Sequence, residues 1–175
     1  MSMAASRSPF DMARLFVVMG VSGCGKSTMA TALANATGGF FLDGDSFHPA
    51  GNIEKMRAAI ALTDEDRWPW LERIGQEMAA RSGTVFCACS ALKRSYRERI
   101  ARAAGEEVIF IHLQGDRALI EDRMRARRGH FMPPSLLDSQ FDTLEVPGPD
   151  ELAFNMDIAR SEPQIVAHIL EKLAL

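Results

Sequence analysis

The nine residues GVSGCGKST, at positions 20–28, combine three glycines with a lysine and hydroxyl side chains. They contain the spacing GxxxxGK(S/T) of a phosphate-binding loop between a strand and a helix, formed by Gly20, Gly25, Lys26 and Ser27. Glycines let backbone N–H groups curl around an anion, and the N-terminus of the following helix adds the positive end of its dipole. We expect Lys26 to reach the terminal phosphates of a nucleotide and Ser27 to offer its hydroxyl to Mg²⁺.

The residues on both sides of this loop support the same interpretation. The apolar run RLFVVMG that leads into it is typical of a buried parallel strand. The stretch KSTMATALANATGG that follows places Met29, Leu33 and Ala36 at helical spacing and ends at Gly38 and Gly39, as a helix C-terminus does. A glycine-rich turn without a ligand is the alternative, and the flanking strand and helix disfavour it.

Two carboxylates follow the second apolar run, in FLDGDSFHP. We expect Asp43 and Asp45 to lie on the same side of an extended segment, close to the first strand if the two strands are neighbours. In parallel α/β proteins this edge of the sheet binds ligands. One carboxylate would hold Mg²⁺ through water, and the other would accept a hydroxyl proton and aim that oxygen at a γ-phosphate. Turn-forming aspartates are the alternative, which the upstream phosphate loop makes less favoured.

A basic cluster lies in DRMRARRGH, at positions 122–130. On a helix Arg123 and Arg127 are one turn apart on the same face, so both can point at one ligand. Their charge would neutralise the charge that develops on a transferring phosphoryl group. For Arg125 and Arg128 we favour the ordinary role of a solvated basic face.

Further polar groups at the expected ligand edge favour an anionic, polyhydroxylated small molecule, whose carboxylate would pair with cations and whose hydroxyls would bond short polar side chains. Some of these groups are instead exposed helix-surface charges, and spacing alone does not separate the two kinds. They occur in CSALKRSYRER, HPAGNIEKMR and DEDRWPW, and comprise Ser90, Lys93, Arg94, Arg97, His48, Asn52, Lys55, Arg57, Asp64, Asp66 and Arg67.

The elements that must position these groups alternate along the chain. Five strand-like runs, RLFVVMG, GFFLDG, TVFCACS, EVIFIHL and AFNMDIA, are separated by segments of helical period, which predicts an α/β fold with a mostly parallel sheet. Ser161 and Gln164 have the spacing of a capping box at the start of the last helix. The predicted helices span 26–37, 52–61, 67–82, 91–104, 116–128, 134–143 and 161–173.

The stretch RARRGHFMPPSLLDSQFDTLEVPGPDE departs from this pattern, since it is rich in charge, glycine and proline. We interpret 123–148 as a mobile lid that closes over the phosphates and excludes water, because its start carries the basic cluster. A long surface connection is the alternative.

Length, composition and net charge limit the class of protein to which this chain can belong. A chain of 175 residues with 47% hydrophobic and 25% charged residues is typical of one ordinary globular domain, here 14–175 after a tail of residues 1–13. A net charge of −3 argues against broad nucleic-acid binding. Three cysteines without CxxC spacing predict reduced thiols, and four scattered histidines give no zinc-ligand spacing. Without an apolar span of about 18 residues or a signal peptide, we expect a cytoplasmic protein that does not bind membranes.

Six segments in fixed order resemble the thermoresistant gluconokinase family of carbohydrate kinases: GVSGCGKST, FLDGDSFHPAGNIEKM, LTDEDRWPWL, CSALKRSYRERI, RARRGHFMPPSLLDSQFDTLEVP and the closing strand and helix. The resemblance runs from about residue 15 to the C-terminus. It implies the P-loop NTPase fold of the nucleoside monophosphate and shikimate kinases, with a central five-stranded parallel sheet and a lid. It also implies Mg²⁺-dependent transfer from ATP to D-gluconate, giving 6-phospho-D-gluconate, and a homodimer.

The same resemblance implies roles for individual residues. Lys26 would contact the β- and γ-phosphates, Asp43 would bind Mg²⁺ through water together with Ser27, and Asp45 would orient and deprotonate the acceptor hydroxyl. Arg123 and Arg127 resemble the adenine-side and lid arginines of related kinases. The phosphate loop would bind ATP through Gly20, Val21, Ser22, Gly23, Cys24, Gly25, Lys26, Ser27 and Thr28. The segments that resemble the gluconate pocket contain His48, Lys55, Arg67, Ser90 and Lys93.

One departure from generic P-loop enzymes and several alternatives stay open at the level of sequence. The run TVFCAC has no terminal aspartate of the Walker B kind, which disfavours a motor-type ATPase and leaves the metal to Asp43. The same chemistry is compatible with shikimate, another sugar acid or a nucleoside monophosphate as acceptor. An ATP-binding regulatory module without transfer is the alternative of a different class, and a nucleic-acid role is the weakest.

Overall fold

The computed structural model describes residues 10–127 and 134–175, in which strands and helices alternate. The strands are β1 (Leu15–Met19), β2 (Phe40–Asp43), β3 (Val85–Ala88), β4 (Val108–Gln114) and β5 (Ala153–Asp157). The helices are α1 (Lys26–Thr37), α2 (Ala50–Arg57), α3 (Asp64–Ala79), α4 (Arg94–Ala104), α5 (Arg117–Ala126), α6 (Pro134–Thr143) and α7 (Glu162–Leu173). No described helix is long and apolar enough to cross a bilayer.

The five strands form one sheet in the order β2-β3-β1-β4-β5, and every neighbouring pair is parallel. The predicted α/β fold with a five-stranded parallel sheet is therefore confirmed. Because β3 lies between β2 and β1, the strand that ends in Asp43 is not a neighbour of the strand that leads into the phosphate loop. Both strands still end at the same edge of the sheet, where parallel α/β folds bind ligands.

Side chains of β1 alternate between two core clusters, one on each face of the sheet. Leu15, Val17 and Met19 belong to one cluster, whereas Phe16 and Val18 belong to the other. Helices cover both faces, so a central strand must be apolar at every position. This explains why LFVVM reads as an unbroken hydrophobic run.

The observed start of α3 lies three residues before the predicted one, because of a capping box. Thr63 Oγ1 accepts the N–H of Asp66 at 3.2 Å, and Asp66 Oδ2 accepts the N–H of Thr63 at 2.9 Å. The box brings Asp64 and Asp66 into the first turn of the helix. The capping box predicted at α7 is confirmed, since Gln164 Oε1 accepts the N–H of Ser161 at 3.1 Å.

Helix α4 begins at Arg94, three residues after the predicted start, because a buried arginine stabilises a turn before it. Arg97 is 2% exposed, and its guanidinium donates to the carbonyls of Ala91 (2.9 Å) and Leu92 (3.2 Å). Its other N–H groups bind both carboxylate oxygens of Glu151, at 2.8 and 3.1 Å. Ala91 has a φ of 44°, a left-handed conformation that costs energy for a residue with a side chain. Arg97 is thus a structural cation and not the ligand-edge group that its sequence position suggested.

Candidate active site

The phosphate loop connects β1 to α1 at the carboxyl edge of the sheet. Gly25 precedes α1 with a φ of 95°, in the left-handed region that favours glycine. Gly23 has a φ of 81°, and a Cβ placed on it would lie 2.5 Å from Met124 Cγ of α5. The N–H of Gly20 donates to the carbonyl of Ser90 at 3.2 Å, which ties the loop to the segment after β3. The loop is therefore shaped by backbone requirements that a side chain would disturb.

A cleft of about 300 Å³ opens beside the loop. The two arginines predicted for nucleotide binding both line it, so the structure brings Arg123 and Arg127 to the loop as expected. Arg123 Nη2 also donates to the carbonyl of Ile158 at 2.5 Å, which fixes this guanidinium. Helix α5 ends at Ala126, and Arg127 is its C-cap residue. The cleft is lined by Gly23, Cys24, Gly25, Thr28, Met29, Arg123, Ala126, Arg127, Ile158, Arg160, Glu162 and Ile165.

Ser27 and Asp43 line a second, more open cavity of about 540 Å³. Asp43 Oδ1 accepts the N–H of Asp45 at 3.0 Å, and no described residue donates to its other carboxylate oxygen. Hydroxyl and carboxylate oxygens are the ligands that Mg²⁺ prefers, and Mg²⁺ keeps several waters and substrate phosphates in its shell. The donor set fits Mg²⁺ without a protein cage. Indeed, the described part of the chain contains no group of three or more His, Cys, Asp or Glu side chains that could hold a metal.

Asp45 lies on a 3₁₀ helix, Gly44–Phe47, and not on an extended segment as the sequence suggested. The turn forms because Asp43 caps it through the bond to the N–H of Asp45. The indole Nε1 of the buried Trp70 donates to the carbonyl of Gly44 at 2.8 Å. Asp45 is therefore held by a short helix anchored to α3, and the extended-segment expectation was wrong.

His48 is a neutral hydrogen-bond donor whose tautomer is fixed by its neighbours. Asn52 Nδ2 lies 3.2 Å from His48 Nδ1 and donates to the carbonyl of Asp66 at 2.9 Å. Because an amide nitrogen only donates, Nδ1 must accept, and Nε2 carries the hydrogen. The imidazole stacks on Trp70 with ring centroids 4.0 Å apart. Burial lowers the pKa of His48, which keeps the ring neutral at pH 7.

Three predicted cations stand beside Asp64 and Asp66, two of the three carboxylates in the first turn of α3; the third, Glu65, is exposed. Lys55 binds Asp66 at 2.7 and 2.9 Å, and Lys93 binds Asp64 at 3.1 and 3.3 Å. The Arg67 guanidinium lies 3.9 Å from the Asp64 carboxylate and donates to the backbone carbonyl of Leu62 at 2.6 Å. Lys55 and Lys93 are each closely paired with one carboxylate, whereas Arg67 makes only the longer contact to Asp64, so Arg67 is the cation of this group best placed for an anionic ligand.

Tyr96 of α4 completes this cluster by donating its hydroxyl to Asp64 at 2.5 Å. The bond from Tyr96, followed by that from Lys93, lowers the pKa of Asp64. Burial and the bond to Asp64 raise the pKa of Tyr96 to about 12, so the phenol keeps its proton. Asp64 is therefore a fixed negative charge that orients Lys93 and Tyr96.

Most of the residues predicted for the acceptor pocket lie in one region around the first turn of α3. His48 and Lys55 are joined through Asn52 and Asp66, while Lys93 and Arg67 both pair with Asp64. Ser90 joins the phosphate loop through its carbonyl. Arg94 does not belong to the region, because it pairs with Glu98 and Asp150. His130 and Arg128 lie outside the described residues, as does the rest of 128–133.

Sequence reasoning missed Trp70, Tyr96 and Gln140 as site residues. No sequence pattern singles out Trp70 or Tyr96, since only the folded contacts show what the indole N–H and the phenol bind. Gln140 accepts the N–H of Ser22 at 2.6 Å, across 118 positions of sequence. No local pattern carries such a contact.

A parallel sheet of this order with a phosphate loop after its first strand defines a P-loop kinase-like protein. A family model described as "AAA domain" matches residues 15–147. The shikimate kinase from Acinetobacter baumannii shares the fold at 17% identity, with a TM-score of 0.61 over 94% of this chain and 95% of that one.

Proteins with higher sequence identity to this chain identify the family within this class. The gluconokinase of Gluconobacter oxydans (strain 621H) is 49% identical over 142 residues, which cover 79% of each protein. The thermoresistant gluconokinase of Escherichia coli (strain K12) is 42% identical over 161 residues, 90% of this chain and 91% of that protein. A crystal structure of a gluconokinase from Sinorhizobium meliloti 1021 is 45% identical, with a TM-score of 0.84 over 94% of this chain and 93% of that one. The chain belongs to the gluconokinase family.

Proposed function

We propose that this protein transfers the γ-phosphoryl group of ATP to D-gluconate, giving ADP and 6-phospho-D-gluconate. The observation that carries the proposal is the shared edge of the sheet. The phosphate loop follows β1, and the segments that carry His48 and Lys93 follow β2 and β3 at the same edge, with Lys55 and Arg67 beside them. A sugar acid has the hydroxyls and the single carboxylate that such a cluster binds.

The transfer itself needs positioning and charge stabilisation more than covalent chemistry by the protein. Asp45 accepts the proton of the primary hydroxyl and aims its oxygen at the γ-phosphorus, and the bond to the ADP oxygen breaks as the new bond forms. Lys26 and Arg127 stabilise the charge on the phosphoryl oxygens. Arg123 and the backbone of residues 20–28 hold the rest of the nucleotide.

Ser27 and Asp43 would hold Mg²⁺, as their place on one cavity and their oxygen donors support. When bound, Mg²⁺ would neutralise charge on the nucleotide phosphates. The backbone N–H of Asp45 binds Asp43 Oδ1 at the start of the 3₁₀ helix, which supports separate tasks for the two carboxylates, the metal for Asp43 and the acceptor for Asp45.

The acceptor would be held by groups with distinct tasks. The gluconate carboxylate would bind at the cations Lys55, Arg67 and Lys93, and most directly at Arg67, whose contact with Asp64 is the longest of the three ion pairs. The Nε2–H of His48 would donate to a hydroxyl, and Ser90 would bond another. This arrangement directs the primary hydroxyl, at the far end of the acceptor from its carboxylate, towards Asp45.

The proposal extends to the organisation of the protein. Residues 14–175 would form one kinase domain after a tail of residues 1–13, with a lid over 123–148, part of which lies outside the described residues. A cytoplasmic location is supported by Cys24, Cys87 and Cys89, which are buried free thiols. A homodimer follows from the resemblance alone, and size-exclusion chromatography with light scattering measures it.

A coupled assay for ADP release with Mg·ATP tests the proposal, with gluconate, shikimate and other sugar acids as separate acceptors. We expect release with gluconate. Asp45→Asn should lose at least about 100-fold in kcat while ATP binding is kept, because the carboxylate acts on the acceptor proton. Asp122→Asn, an exposed aspartate on α5, is the matched control and should retain activity. ADP release with another acceptor but not with gluconate would contradict the proposed substrate. No ADP release with any acceptor would favour an ATP-binding module without transfer.

A further inference from the structure

The peptide unit between Val21 and Ser22 in the phosphate loop is hydrogen-bonded at both of its ends. Its carbonyl accepts from Lys26 Nζ at 3.1 Å, and its N–H donates to Gln140 Oε1 at 2.6 Å. Lys26 is the cation that reaches terminal phosphates in such loops. Gln140, which comes from α6, therefore lies one peptide unit away from the phosphate-binding ammonium.

Helix α6 is held in this position by contacts other than Gln140. Leu137 is 2% exposed and belongs to the core cluster that includes β1. Arg117 of α5 pairs with Asp138, and after the helix the N–H of Glu145 donates to the carbonyl of Leu92 at 2.8 Å. The side chain of Gln140 therefore reaches the loop from a fixed base.

The bond to the loop also fixes which way the amide of Gln140 points. Because the N–H of Ser22 is a donor, the atom that meets it must be Oε1, and Nε2 is directed elsewhere. Among the described residues no acceptor lies against Nε2. The two N–H groups of this amide are thus left without an acceptor among the described residues, on a side chain that binds the same peptide unit as Lys26.

We propose that Gln140 binds the γ-phosphoryl group of the nucleotide, its Nε2 donating to a phosphoryl oxygen while its Oε1 holds the N–H of Ser22. The inference rests on the proposed transfer from ATP. A neutral amide adds a donor to a transferring group without adding a charge that would retain the product. Gln140 also links the helix that follows the basic cluster to the loop that holds the phosphates.

A competing role is that Gln140 only supports the loop by accepting the N–H of Ser22. Gln140→Glu separates the two roles, because a carboxylate still accepts from Ser22 but cannot donate and repels a phosphate. Gln140→Leu removes both functions at similar volume. Gln76→Leu, an exposed glutamine on α3, is the matched control for changing an amide to an apolar side chain.

Isothermal titration with ADP and with a non-hydrolysable ATP analogue, each with Mg²⁺ and without acceptor, measures the γ-phosphate contribution directly. For Gln140→Glu we expect the affinity for the analogue to fall by about 10- to 100-fold, the range for a hydrogen bond to a charged group, with ADP affinity nearly unchanged. Gln140→Leu should follow in the same direction with a smaller loss. Steady-state assays should show a lower kcat/KM for ATP and an unchanged KM for gluconate.

Two outcomes would overturn the inference while leaving the proposed function in place. One is an analogue-to-ADP affinity ratio in Gln140→Glu equal to that of the unmodified protein. The other is an equal loss for both nucleotides in every Gln140 variant, which would show a supporting role only. If the unmodified protein binds neither nucleotide, the proposed function itself fails. Circular dichroism and thermal melts confirm that each variant is folded before titration.

Discussion

At the scale of single residues, the site depends on protonation states that hydrogen bonds fix. His48 is directed to donate through Nε2 because Asn52 occupies Nδ1, and the stacked Trp70 holds the ring in place. The sequence placed His48 in the acceptor pocket by resemblance. It could not supply the tautomer, because Asn52 and Trp70 reach the imidazole from two different helices.

This arrangement gives a test on Asn52. In Asn52→Leu the imidazole loses its partner at Nδ1, so both tautomers become populated and the donor towards the acceptor is no longer assured. We expect the KM for gluconate to rise about three- to tenfold, the range of one neutral hydrogen bond, with little change in ATP affinity. Nitrogen NMR of the unmodified protein should show a hydrogen on Nε2 of His48. A spectrum with the hydrogen on Nδ1 would contradict the assignment.

At the scale of elements, the segments that carry site residues begin where specific caps and pairs place them. The sequence predicted each strand and each α-helix, but it missed the 3₁₀ helix Gly44–Phe47 and placed the start of α3 too late and that of α4 too early. The first error arose because the box at Thr63 and Asp66 precedes the apolar pattern. The second arose because the turn at Ala91 depends on Arg97, whose partner Glu151 is 54 residues away. Short-range patterns describe helix interiors, whereas these ends depend on distant groups.

The turn before α4 gives a stability test. Arg97→Met should lower the free energy of unfolding by about 3–5 kcal/mol, because it leaves Glu151 without its buried partner and two carbonyls without a donor. Adding Glu151→Leu should recover a large part of that loss, since the unpaired charge is removed as well. Urea unfolding of the single and double variants measures both effects. A double variant that is as unstable as the sum of the single variants would contradict a coupled pair.

At the scale of the whole molecule, the order of the strands assembles the site. The sequence predicted a parallel sheet, and parallel strands bring their carboxyl ends to one edge, so the phosphate loop, Asp43 and Ser90 were expected to lie together. Sequence alone did not place β3 between β1 and β2. That order depends on which apolar faces pack together across the sheet, a property that no single segment contains.

The same packing buries His112, and His48 is partly buried beside Trp70, so the stability of the fold depends on pH. His112 on β4 faces its register partner Asn155 on β5, with Nδ1 and Oδ1 2.8 Å apart. Burial lowers the pKa of His112, and the nearby Arg97 acts in the same direction, while the bond to Asn155 opposes it. For His48, burial and Arg67 lower the pKa, whereas Asp45 opposes the shift.

The sign of the pH effect follows from these lowered pKa values. Below about pH 6.5 the unfolded chain binds protons at both positions that the folded protein does not bind, so the free energy of unfolding falls as the pH decreases towards the folded pKa values. Each histidine contributes a slope of at most about 1.4 kcal/mol per pH unit in that window. Urea unfolding at several values between about pH 5.5 and 7.5, without ligands, should show this decline. His112→Gln should remove one of the two contributions. A stability that stays constant or rises on acidification through this window would show that neither imidazole is held neutral by the fold.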